Sequence, residues 1–447
     1  MRATLTWLGL LCIARSASAG NEDELLVGNE AAMSAGAVTA TVRDGSALYY
    51  NPAGLARTQN DSVDLTATAF VVRRYRLPEL LSASTGDQAP GDFTEIVTAP
   101  SGLSFVRRLP PKLVAGVGVF VPRSLDLVLR SSLPLEIDGR SASAVAALGI
   151  SQARYVVALG AGLQLSERLT LGFALHGLYD GGVLSSLFAG GFVSPGAGGA
   201  PADFASDGFV QQQIIYSQDN YGFSPALGLQ FDLNDQLRVG LSLRGPGLSV
   251  YSSQRSTTVD SQGGPELDLF APGDQNVSHF VFEPMLALRS SAALAYYFGA
   301  GWIALEADYQ SRVHSRKLGV DIVPVVNARL GGRVQLNPAL AVGGGLFSDR
   351  SNEPEPNGYP ETHIDFYGAT AGFELSNTYL LAPGQVSPAV AFSSTVALRY
   401  AHGSGQLGGV RIDLSMPPAD TVAGLSTPPG DATVNELSLH IGSAVYF

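Results

Sequence analysis

The chain has 447 residues, of which 45% are hydrophobic and only 15% charged, with 52 glycines and a formal net charge of −12. Soluble domains usually carry about 25% charged residues, so the composition is poor in charge for a soluble protein. The acidic balance argues against nucleic acid or an anionic lipid surface as a partner. Beyond the first twenty residues no apolar run reaches the about 18 to 20 residues that a membrane helix needs. These features favour an exported membrane β-barrel.

Residues 1–19 are predicted to be a secretory signal peptide. Arg2 supplies positive charge, residues 5–13 form a short apolar run, and residues 17–19 form a small-residue cleavage site. Cys12 lies inside the apolar run and is the single cysteine of the chain. The mature protein would therefore have no disulfide and no thiolate metal site.

Residues 20–60 show no alternation long enough to span a membrane. The stretch 28–36 consists mostly of small residues, and Asp44-Gly45 and Asn51-Pro52 are turn signals. Because this segment directly precedes a series of strand-like repeats, we predict that it is a plug, or hatch, inside the lumen of a barrel formed by residues 61–447.

From residue 62 onward, apolar and polar residues alternate with period two, which places one face of each strand on lipid and the other on a polar lumen. In the first strand, Val63, Leu65, Ala67, Ala69 and Val71 share the predicted lipid face. We predict an all-β fold, a 14-stranded antiparallel transmembrane barrel; twelve or sixteen strands would also fit. The strands begin near residues 62, 101, 112, 152, 168, 219, 236, 285, 301, 325, 338, 363, 388 and 433.

The connections between the predicted strands alternate between short and long. The long ones, predicted to be outer loops, are 77–101, 122–151, 180–218, 250–283 and 403–433. Short periplasmic turns and longer outer loops are typical of outer-membrane barrels, and an even strand number places both termini in the periplasm. The last strand ends on Phe447 at the lipid face, as expected for an interfacial aromatic girdle. It is similar to the C-terminal signal that the barrel-assembly machinery recognises.

The predicted hatch resembles that of the FadL-type outer-membrane transporters of long-chain fatty acids and aromatic hydrocarbons. The residues that carry the resemblance are Gly28, Asn29, Glu30, Ala31, Ala32, Asp44 and the triplet Asn51-Pro52-Ala53, which matches the NPA motif of the family. Further matches are scattered at 100–103, 116–122 and 400–403. The resemblance spans nearly the whole mature chain, but only the hatch and its NPA triplet are specific.

The resemblance implies a monomeric barrel that captures a hydrophobic ligand between its outer loops and releases it sideways through a kink in the third strand. Gly116 and Gly118 are the candidates for that kink, since glycine in a strand can mark a bend. Candidate capture residues lie in the third predicted outer loop: Leu184, Leu187, Phe188 and Phe192. Exposed apolar residues there indicate either a ligand groove or packing between loops.

Several charged residues fall at predicted lumen-facing positions: Arg168, Arg238, Arg244, Arg289, Arg329, Arg333, Arg399, Glu306, Asp308, Glu374 and Glu436. Mixed charges in a lumen are costly unless they are paired or wet. They are predicted to pair and to hold the hatch through Arg43 and Asp44; binding of a ligand carboxylate by one arginine is the alternative.

No catalytic or metal-binding pattern is present in the sequence. The six histidines form no His-x-x-x-His or His-x-His pair, and no Gly-x-Ser-x-Gly motif occurs. His176, His402 and His440, near lumen-facing positions, are interpreted as structural. The sequence predicts no enzyme, no metal and no cofactor.

The leading hypothesis is passive uptake of hydrophobic small molecules, such as long-chain fatty acids or hydrocarbons, across a Gram-negative outer membrane. The expected partners are the ligand, outer-membrane lipid, lipopolysaccharide and the assembly machinery, with the protein a monomer. The alternative is a structural or adhesive barrel that binds partners through its outer loops and transports nothing. An open porin for polar solutes is disfavoured by the hatch.

Overall fold

The computed structural model describes residues 24–137, 140–193, 208–263, 268–269, 273–357, 359, 361–379, 390–412, 425–426 and 428–447. The predicted signal peptide lies outside the described residues. The described chain forms fourteen barrel strands. They are β1 Ser62–Ala83, β2 Gln88–Leu109, β3 Leu113–Ile137, β4 Arg140–Gln164, β5 Leu169–Val193, β6 Gly208–Asp232, β7 Leu237–Arg244 continued by Gly247–Gly263, β8 Gly273–Leu286 continued by Arg289–Phe298, β9 Gly301–Gln310, β10 Val325–Asn337, β11 Leu340–Asp349, β12 Thr362–Tyr379, β13 Val390–Gly408 and β14 Pro429–Tyr446.

The barrel closes between its first and last strands. β1 pairs antiparallel with β14 from Ser62↔Tyr446 to Arg76↔Thr433, and every other strand pairs antiparallel with its neighbours in sequence. The prediction of a closed 14-stranded antiparallel barrel is therefore confirmed, and twelve or sixteen strands are excluded.

The remaining elements are short. The hatch contains α1 Asn29–Met33, α2 Ala47–Tyr50 and a 3-10 helix Pro52–Arg57. Between β9 and β10, the strands Val313–Ser315 and Val320–Ile322 form what we call the inner hairpin. Three further short strands are Asp268–Leu269, Val410–Ile412 and Leu425–Ser426. Among the described residues, no helix is long and apolar enough to cross a membrane.

In the inner half of the barrel, next to the short turns, the strands alternate as predicted. On β4, Leu159 is 64% exposed on the outside while its neighbour Ala158 is fully buried. Exposed leucine and phenylalanine side chains on adjacent strands continue this outer belt, as lipid contact requires. Arg168 departs from the prediction: it lies in the exposed turn before β5 and does not face the lumen.

Outward-facing aromatic rings form a row across five neighbouring strands, β4 to β8. The rings belong to Tyr155, Tyr179, Tyr221, Tyr251 and Phe280, and successive ring centroids are 5.9, 5.1, 6.1 and 5.5 Å apart. Amphipathic rings of this kind concentrate where hydrocarbon meets head groups. The row therefore indicates one border of the membrane on this side of the barrel, the border farther from the short turns.

Beyond that border the predicted outer loops are wrong for much of their length, because the strands continue through them. β3 runs to Ile137 and β4 begins at Arg140, within the predicted loop 122–151. In this outer part the alternation is inverted: Leu125, Leu127 and Leu129 are buried inside, whereas Asp126 and Arg130 are exposed outside. Water replaces lipid around this part of the wall, so the polar face turns outward.

An irregularity in β1 also reverses one predicted face. The register shifts on both sides of β1 near residues 68–71. Val71, predicted on the lipid face with Val63, is therefore turned inward and is 1% exposed. A bulge adds one residue to a strand and so exchanges its two faces.

Candidate functional site

The hatch fills the inner half of the lumen. Almost every residue from Leu25 to Leu55 is buried, although the chain there forms only two short helices and one 3-10 helix. Val27, Leu48 and Tyr49 of the hatch share one apolar cluster with Phe120 of β3 and Val156 of β4. The barrel is thus packed around its own N-terminal segment.

Seven glycines of the wall lie where the hatch approaches it closely. We call them the glycine collar: Gly162, Gly172, Gly228, Gly240, Gly331, Gly345 and Gly442. A Cβ at Gly172 would lie 2.1 Å from the carbonyl carbon of Pro52, and one at Gly228 would lie 2.0 Å from Asn51 Oδ1. Real Cβ atoms do not come this close to other atoms. The collar is therefore the surface on which the hatch is seated.

The Asn51-Pro52-Ala53 triplet is anchored to this surface. Asn51 is fully buried; its side-chain amide donates to the carbonyl oxygens of Thr39, at 2.7 Å, and Leu229 of β6, at 3.2 Å. Asn51 Oδ1 accepts from the Ala53 N–H at 3.1 Å and caps the 3-10 helix that Pro52 begins. The triplet fixes the hatch to the wall.

The other residues of the hatch motif also make close contacts, either within the hatch or with the wall. Gly28 has φ +91°, and a Cβ there would meet Ser46 at 2.4 Å. Asn29 and Glu30 are buried on α1, and Asn29 Oδ1 lies against Gly442 of the collar. Asp44 accepts hydrogen bonds from the backbone and hydroxyl of Ser46.

In the described structure, the polar contacts between wall and hatch involve hatch residues other than Arg43 and Asp44. Arg244 donates to the Tyr49 carbonyl oxygen at 2.7 Å, and Glu306 accepts from the Thr39 N–H at 2.8 Å. Arg57 pairs with Asp232 of β6 at 2.8 Å. Charged wall residues therefore anchor the hatch as predicted, but they do so without the side chains of Arg43 and Asp44.

The predicted lumenal charges form mutual ion pairs. Asp308 lies 3.0 Å from Arg289 and 3.2 Å from Arg329, and Arg333 lies 2.9 Å from Glu374. Arg399 pairs with Glu436. These buried carboxylates and guanidinium groups compensate one another, as charges removed from water require.

The ladder between β2 and β3 is interrupted halfway up the wall. It extends only from Leu109↔Leu113 to Gly102↔Phe120; above this the two strands pair with their other neighbours. The register of β3 against β4 shifts between Phe120 and Arg123, so Val121-Pro122 forms a bulge. Proline has no N–H to donate to a ladder, which is why it occurs in sheets at edges and bulges. We call this interruption the β2–β3 gap.

The gap lies a few residues beyond the predicted kink. Gly116 and Gly118 pair regularly with β2 on one side and β4 on the other. The irregularity in β3 is therefore at Val121-Pro122 and not at the two glycines.

The first described residues of the hatch close the gap from inside. Leu25 donates its N–H to the Pro122 carbonyl oxygen at 2.9 Å and packs against Val71, Ala99 and Val121. Glu24 pairs with Arg73 of β1, which also contacts Glu95 of β2 at 3.3 Å and Glu436 of β14 at 2.7 Å. The start of the hatch and the edge of the gap are thus joined by charge and by apolar packing.

The outer half of the lumen is lined by apolar side chains. Two clusters contain Leu77, Leu80, Leu81, Leu125, Leu127, Leu129, Leu133, Leu135, Leu148 and Ile150, together with Leu184. The capture residues predicted on an exposed loop lie instead on β5. Leu184 is 5% exposed and Phe188 packs against one cluster, whereas Leu187 is half-buried on the other face. The side chain of Phe192 lies outside the described residues.

A cavity of about 100 Å³ lies between β3–β6 and two segments that fold into the lumen, the inner hairpin and residues 352–357, 359 and 361. Its apolar lining includes Ile150, Leu184, Tyr216 and Met285, and its polar lining includes Arg123, Gln152, Arg154, Asp180 and Asn220. Gln218 donates to the carbonyl oxygen of Leu318, whose side chain is fully buried. Neither folded-in segment was predicted from the sequence; the apolar residues Val313, Leu318 and Ile322, which are buried, were the available signal for the inner hairpin.

Of the three histidines predicted near the lumen, only His176 fits a buried, hydrogen-bonded structural role: His402 is exposed, and neither ring nitrogen of buried His440 has a hydrogen-bond partner among the described residues. His176 Nε2 lies 2.8 Å from the Leu48 carbonyl oxygen of the hatch, and His402 Nδ1 lies 3.0 Å from Asn435. Buried His440 lines a small cavity beside Glu24 and Arg399. Within the described part of the chain, no group of three or more His, Cys, Asp or Glu side chains could hold a metal ion.

Comparison with known proteins identifies the fold. No family model matches the sequence, and no curated protein matches it. Among solved structures, a Pseudomonas aeruginosa FadL homologue superposes with a TM-score of 0.61 at 13% identity, covering 96% of this chain and 99% of that one. The Pseudomonas putida toluene transporter TodX gives 0.58 at 15%, covering 95% and 99%. The Ralstonia pickettii toluene transporter TbuX gives 0.56 at 13%, covering 95% and 99%. The resemblance to FadL-type transporters is thus confirmed for the fold.

Proposed function

We propose that this chain, whose fold is that of the FadL-type transporters, is not an enzyme and takes up hydrophobic small molecules passively across a Gram-negative outer membrane. One observation carries the proposal: the apolar outer lumen ends beside the β2–β3 gap, which the hatch closes from inside. A solute entering from outside would remain in contact with apolar side chains as far as a break in the wall.

Such a path allows an apolar solute to leave water in stages. Transfer of apolar surface out of water is favourable by about 25 cal/mol per Å². The inner half of the lumen offers little to an apolar solute, because the hatch fills it and ion pairs surround the hatch. Sideways exit through the β2–β3 gap into the bilayer avoids that polar region.

The ligand class extends over hydrocarbons and long-chain fatty acids. Toluene transporters and a FadL homologue all share the fold, which supports a hydrophobic ligand. The buried ion pairs Arg289–Asp308 and Arg333–Glu374 disfavour those arginines as the site for a ligand carboxylate.

The proposal includes the processing and placement of the chain. Residues 1–19 would be removed as a signal peptide, residues 20–60 would form the hatch, and residues 61–447 the monomeric barrel, with both termini in the periplasm. Phe447 is 47% exposed, and its N–H donates to the Asp61 carbonyl oxygen at 3.0 Å. This position suits an aromatic residue that serves as the assembly signal at the membrane border.

Deletion of Pro122 tests the lateral exit. Removing one residue of the bulge restores the regular alternation of β3 and allows its ladder with β2 to continue. We expect uptake of labelled toluene by cells that express this variant to fall to the level of cells without the protein. Pro122→Ala is the control, because it keeps the extra residue; its uptake should match the unmodified protein. Cells are needed because apolar solutes cross simple phospholipid vesicles unaided.

Deletion of residues 20–56, with the signal kept, tests the hatch. The barrel should fold and lose selective uptake; unchanged toluene uptake and affinity would contradict the proposed role. Planar-bilayer conductance provides a separate test, since a large steady open channel in the complete protein is incompatible with a seated hatch. A folded complete protein that gives only background uptake would favour the adhesive alternative.

A further inference from the structure

Two exposed arginines, Arg74 and Arg76, lie on the outward face of β1. Arg73, which precedes Arg74 in the chain, faces inward and pairs with three carboxylates. Neither Arg74 nor Arg76 forms an ion pair or a side-chain hydrogen bond with another described residue. In water such charges need no partner, so their meaning depends on what surrounds this part of the wall.

Arg74 and Arg76 lie at the height where the hydrocarbon core of the membrane ends. A tilted strand crosses that core in about 9–11 residues. β1 begins at Ser62, at the end of the barrel that carries the short turns, so it has covered this distance by Val72. The next two outward positions are Arg74 and Arg76. In the proposed outer-membrane placement, both guanidinium groups are therefore level with the head groups of the outer leaflet.

The outward face of the neighbouring strands changes character at the same height. The last apolar row runs across four strands through successive ladder partners: Tyr400, Leu437, Val72 and Ile96. The next outward row is polar and consists of His402, Asn435, Arg74 and Thr94. In the apolar row, Ile96 is 69% exposed and Tyr400 is 49% exposed. This part of the wall therefore presents an apolar surface directly below two cations, which matches the tails and the anionic head of an amphiphile.

An amide side chain adds hydrogen-bonding capacity beside the two arginines. Asn435 Oδ1 accepts from the Tyr400 hydroxyl at 3.0 Å and lies 3.0 Å from His402 Nδ1. Its NH₂ group has no acceptor among the described residues, and Asn435 is the ladder partner of Arg74. An amide NH₂ group can donate to a phosphate oxygen. Arg74 and Arg76 are about 6.6 Å apart along the strand, and guanidinium groups bind phosphate oxygens in pairs.

The net charge of −12 does not contradict an anionic ligand at this place. It argues against attraction of the whole protein to an anionic surface, whereas two adjacent arginines act locally, within a screening length of about 8 Å at physiological salt. Asp92 is the ladder partner of Arg76 on β2, but the two form no ion pair. Both positive charges are therefore available to a ligand.

We propose that Arg74 and Arg76 bind the phosphate group of a phosphate-bearing lipid of the outer leaflet, whose acyl chains cover the apolar row below them. A lipid fits better than a free phosphate ion, because the cations stand directly above exposed apolar side chains that an ion would leave uncovered. The inference goes beyond uptake of a solute. Ile96 lies on the part of β2 that has no ladder with β3, so the bound acyl chains would border the β2–β3 gap.

Native mass spectrometry of the complete protein in mild detergent tests this site by titration with lipid. The probes are diphosphoryl lipid A and monophosphoryl lipid A, which share their acyl chains and differ by one phosphate. An arginine near an anionic lipid surface contributes about fivefold in affinity, so Arg74→Gln/Arg76→Gln should weaken binding of diphosphoryl lipid A about 25-fold. Arg107→Gln/Arg130→Gln is the matched control, because it removes two exposed arginines, one at the opposite end of β2 and one farther out on β3. It should change the affinity less than about twofold, since the two charges are far from the site.

Unchanged binding in Arg74→Gln/Arg76→Gln, or an equal loss in the control variant, would overturn the assignment. Arg74→Lys/Arg76→Lys keeps both charges and should retain the preference for diphosphoryl over monophosphoryl lipid A. Excess inorganic phosphate should leave the lipid bound; its displacement would show that the arginines hold a free anion and not a lipid. Folding is checked by heat-dependent migration on gels. Toluene uptake is measured on the same variants, so loss of the lipid site and failure of the transport proposal remain distinguishable.

Discussion

Substitution of Gly172 by alanine tests whether the glycine collar seats the hatch. Gly172 is on β5, and a Cβ there would lie 2.1 Å from the Pro52 carbonyl carbon and 2.3 Å from the Ala53 nitrogen. Ordinary van der Waals contacts are 3.4–4 Å. The hatch backbone would therefore have to move by more than about 1 Å, and the groups that it meets are backbone atoms that cannot rotate away.

The expected cost follows from the size of this clash. Overpacking by one methyl group in a close-packed interior costs about 1–3 kcal/mol. The barrel is held closed by its own strand ladders. We therefore expect this cost to destabilise the seated position of the hatch and not the barrel. A coupling of that size changes the ratio of unseated to seated hatch by about 5- to 150-fold.

Planar-bilayer recording measures the unseated state directly, as the frequency of open-channel events. Gly177→Ala is the matched control: it is the same substitution on the same strand, and the nearest atom to its Cβ is 3.7 Å away. Gly172→Ala should raise the frequency of open events, and Gly177→Ala should not. If both variants behave alike, the collar does not determine how the hatch is held.

Three further substitutions probe the hatch by the same recording. Burial raises the pKa of Glu30 from 4.5 to about 7, so the seated hatch holds this proton more tightly than the free chain. Seating should weaken as the pH rises from about 4.5 to about 7, and Glu30→Gln should make that dependence smaller than in the unmodified protein between pH 5 and pH 8. Asn51→Ala removes two buried donors and one cap and should raise the open frequency at every pH, by an amount equivalent to about 1–3 kcal/mol. Asp232→Asn should have a smaller effect, about 1 kcal/mol or less, because its pair with Arg57 is partly exposed; an effect as large as that of Asn51→Ala would contradict this ranking.

The sequence predicted the inner half of the barrel well because lipid acts on it as a uniform apolar solvent. Leu159 and Leu163 on β4 face that solvent, and their period-two spacing is sufficient to recognise the strand. Above the membrane, Leu125 and Leu127 alternate just as regularly but face the lumen. The stretch 122–151 was therefore predicted as a loop, because alternation alone does not distinguish a face on lipid from a face on the lumen.

The candidate site was predicted only in part, for a related reason. The hatch motif was recognisable because its turn residues are local in sequence. Arg123 was not, because its inward orientation depends on one extra residue in β3, which alternation alone does not reveal. Pro122 was the available signal, since a proline inside a strand indicates an edge or a bulge. The inner hairpin was missed because its strands, Val313–Ser315 and Val320–Ile322, are only three residues long, too short for alternation to reveal them.

The row of aromatic rings has a consequence for where a ligand first meets this protein. From Tyr155 the strand β4 continues outward to Arg140, and at about 3.3 Å per residue with a tilt of about 40° it rises roughly 38 Å above the row. In the proposed outer-membrane placement, a wall of that height would pass through the sugar and phosphate layer of the outer leaflet, in which apolar solutes do not dissolve. The entrance would stand clear of this layer, so solutes would be collected from the surrounding medium, and the same rim would be the part of the protein that antibodies or bacteriophages reach on an intact cell.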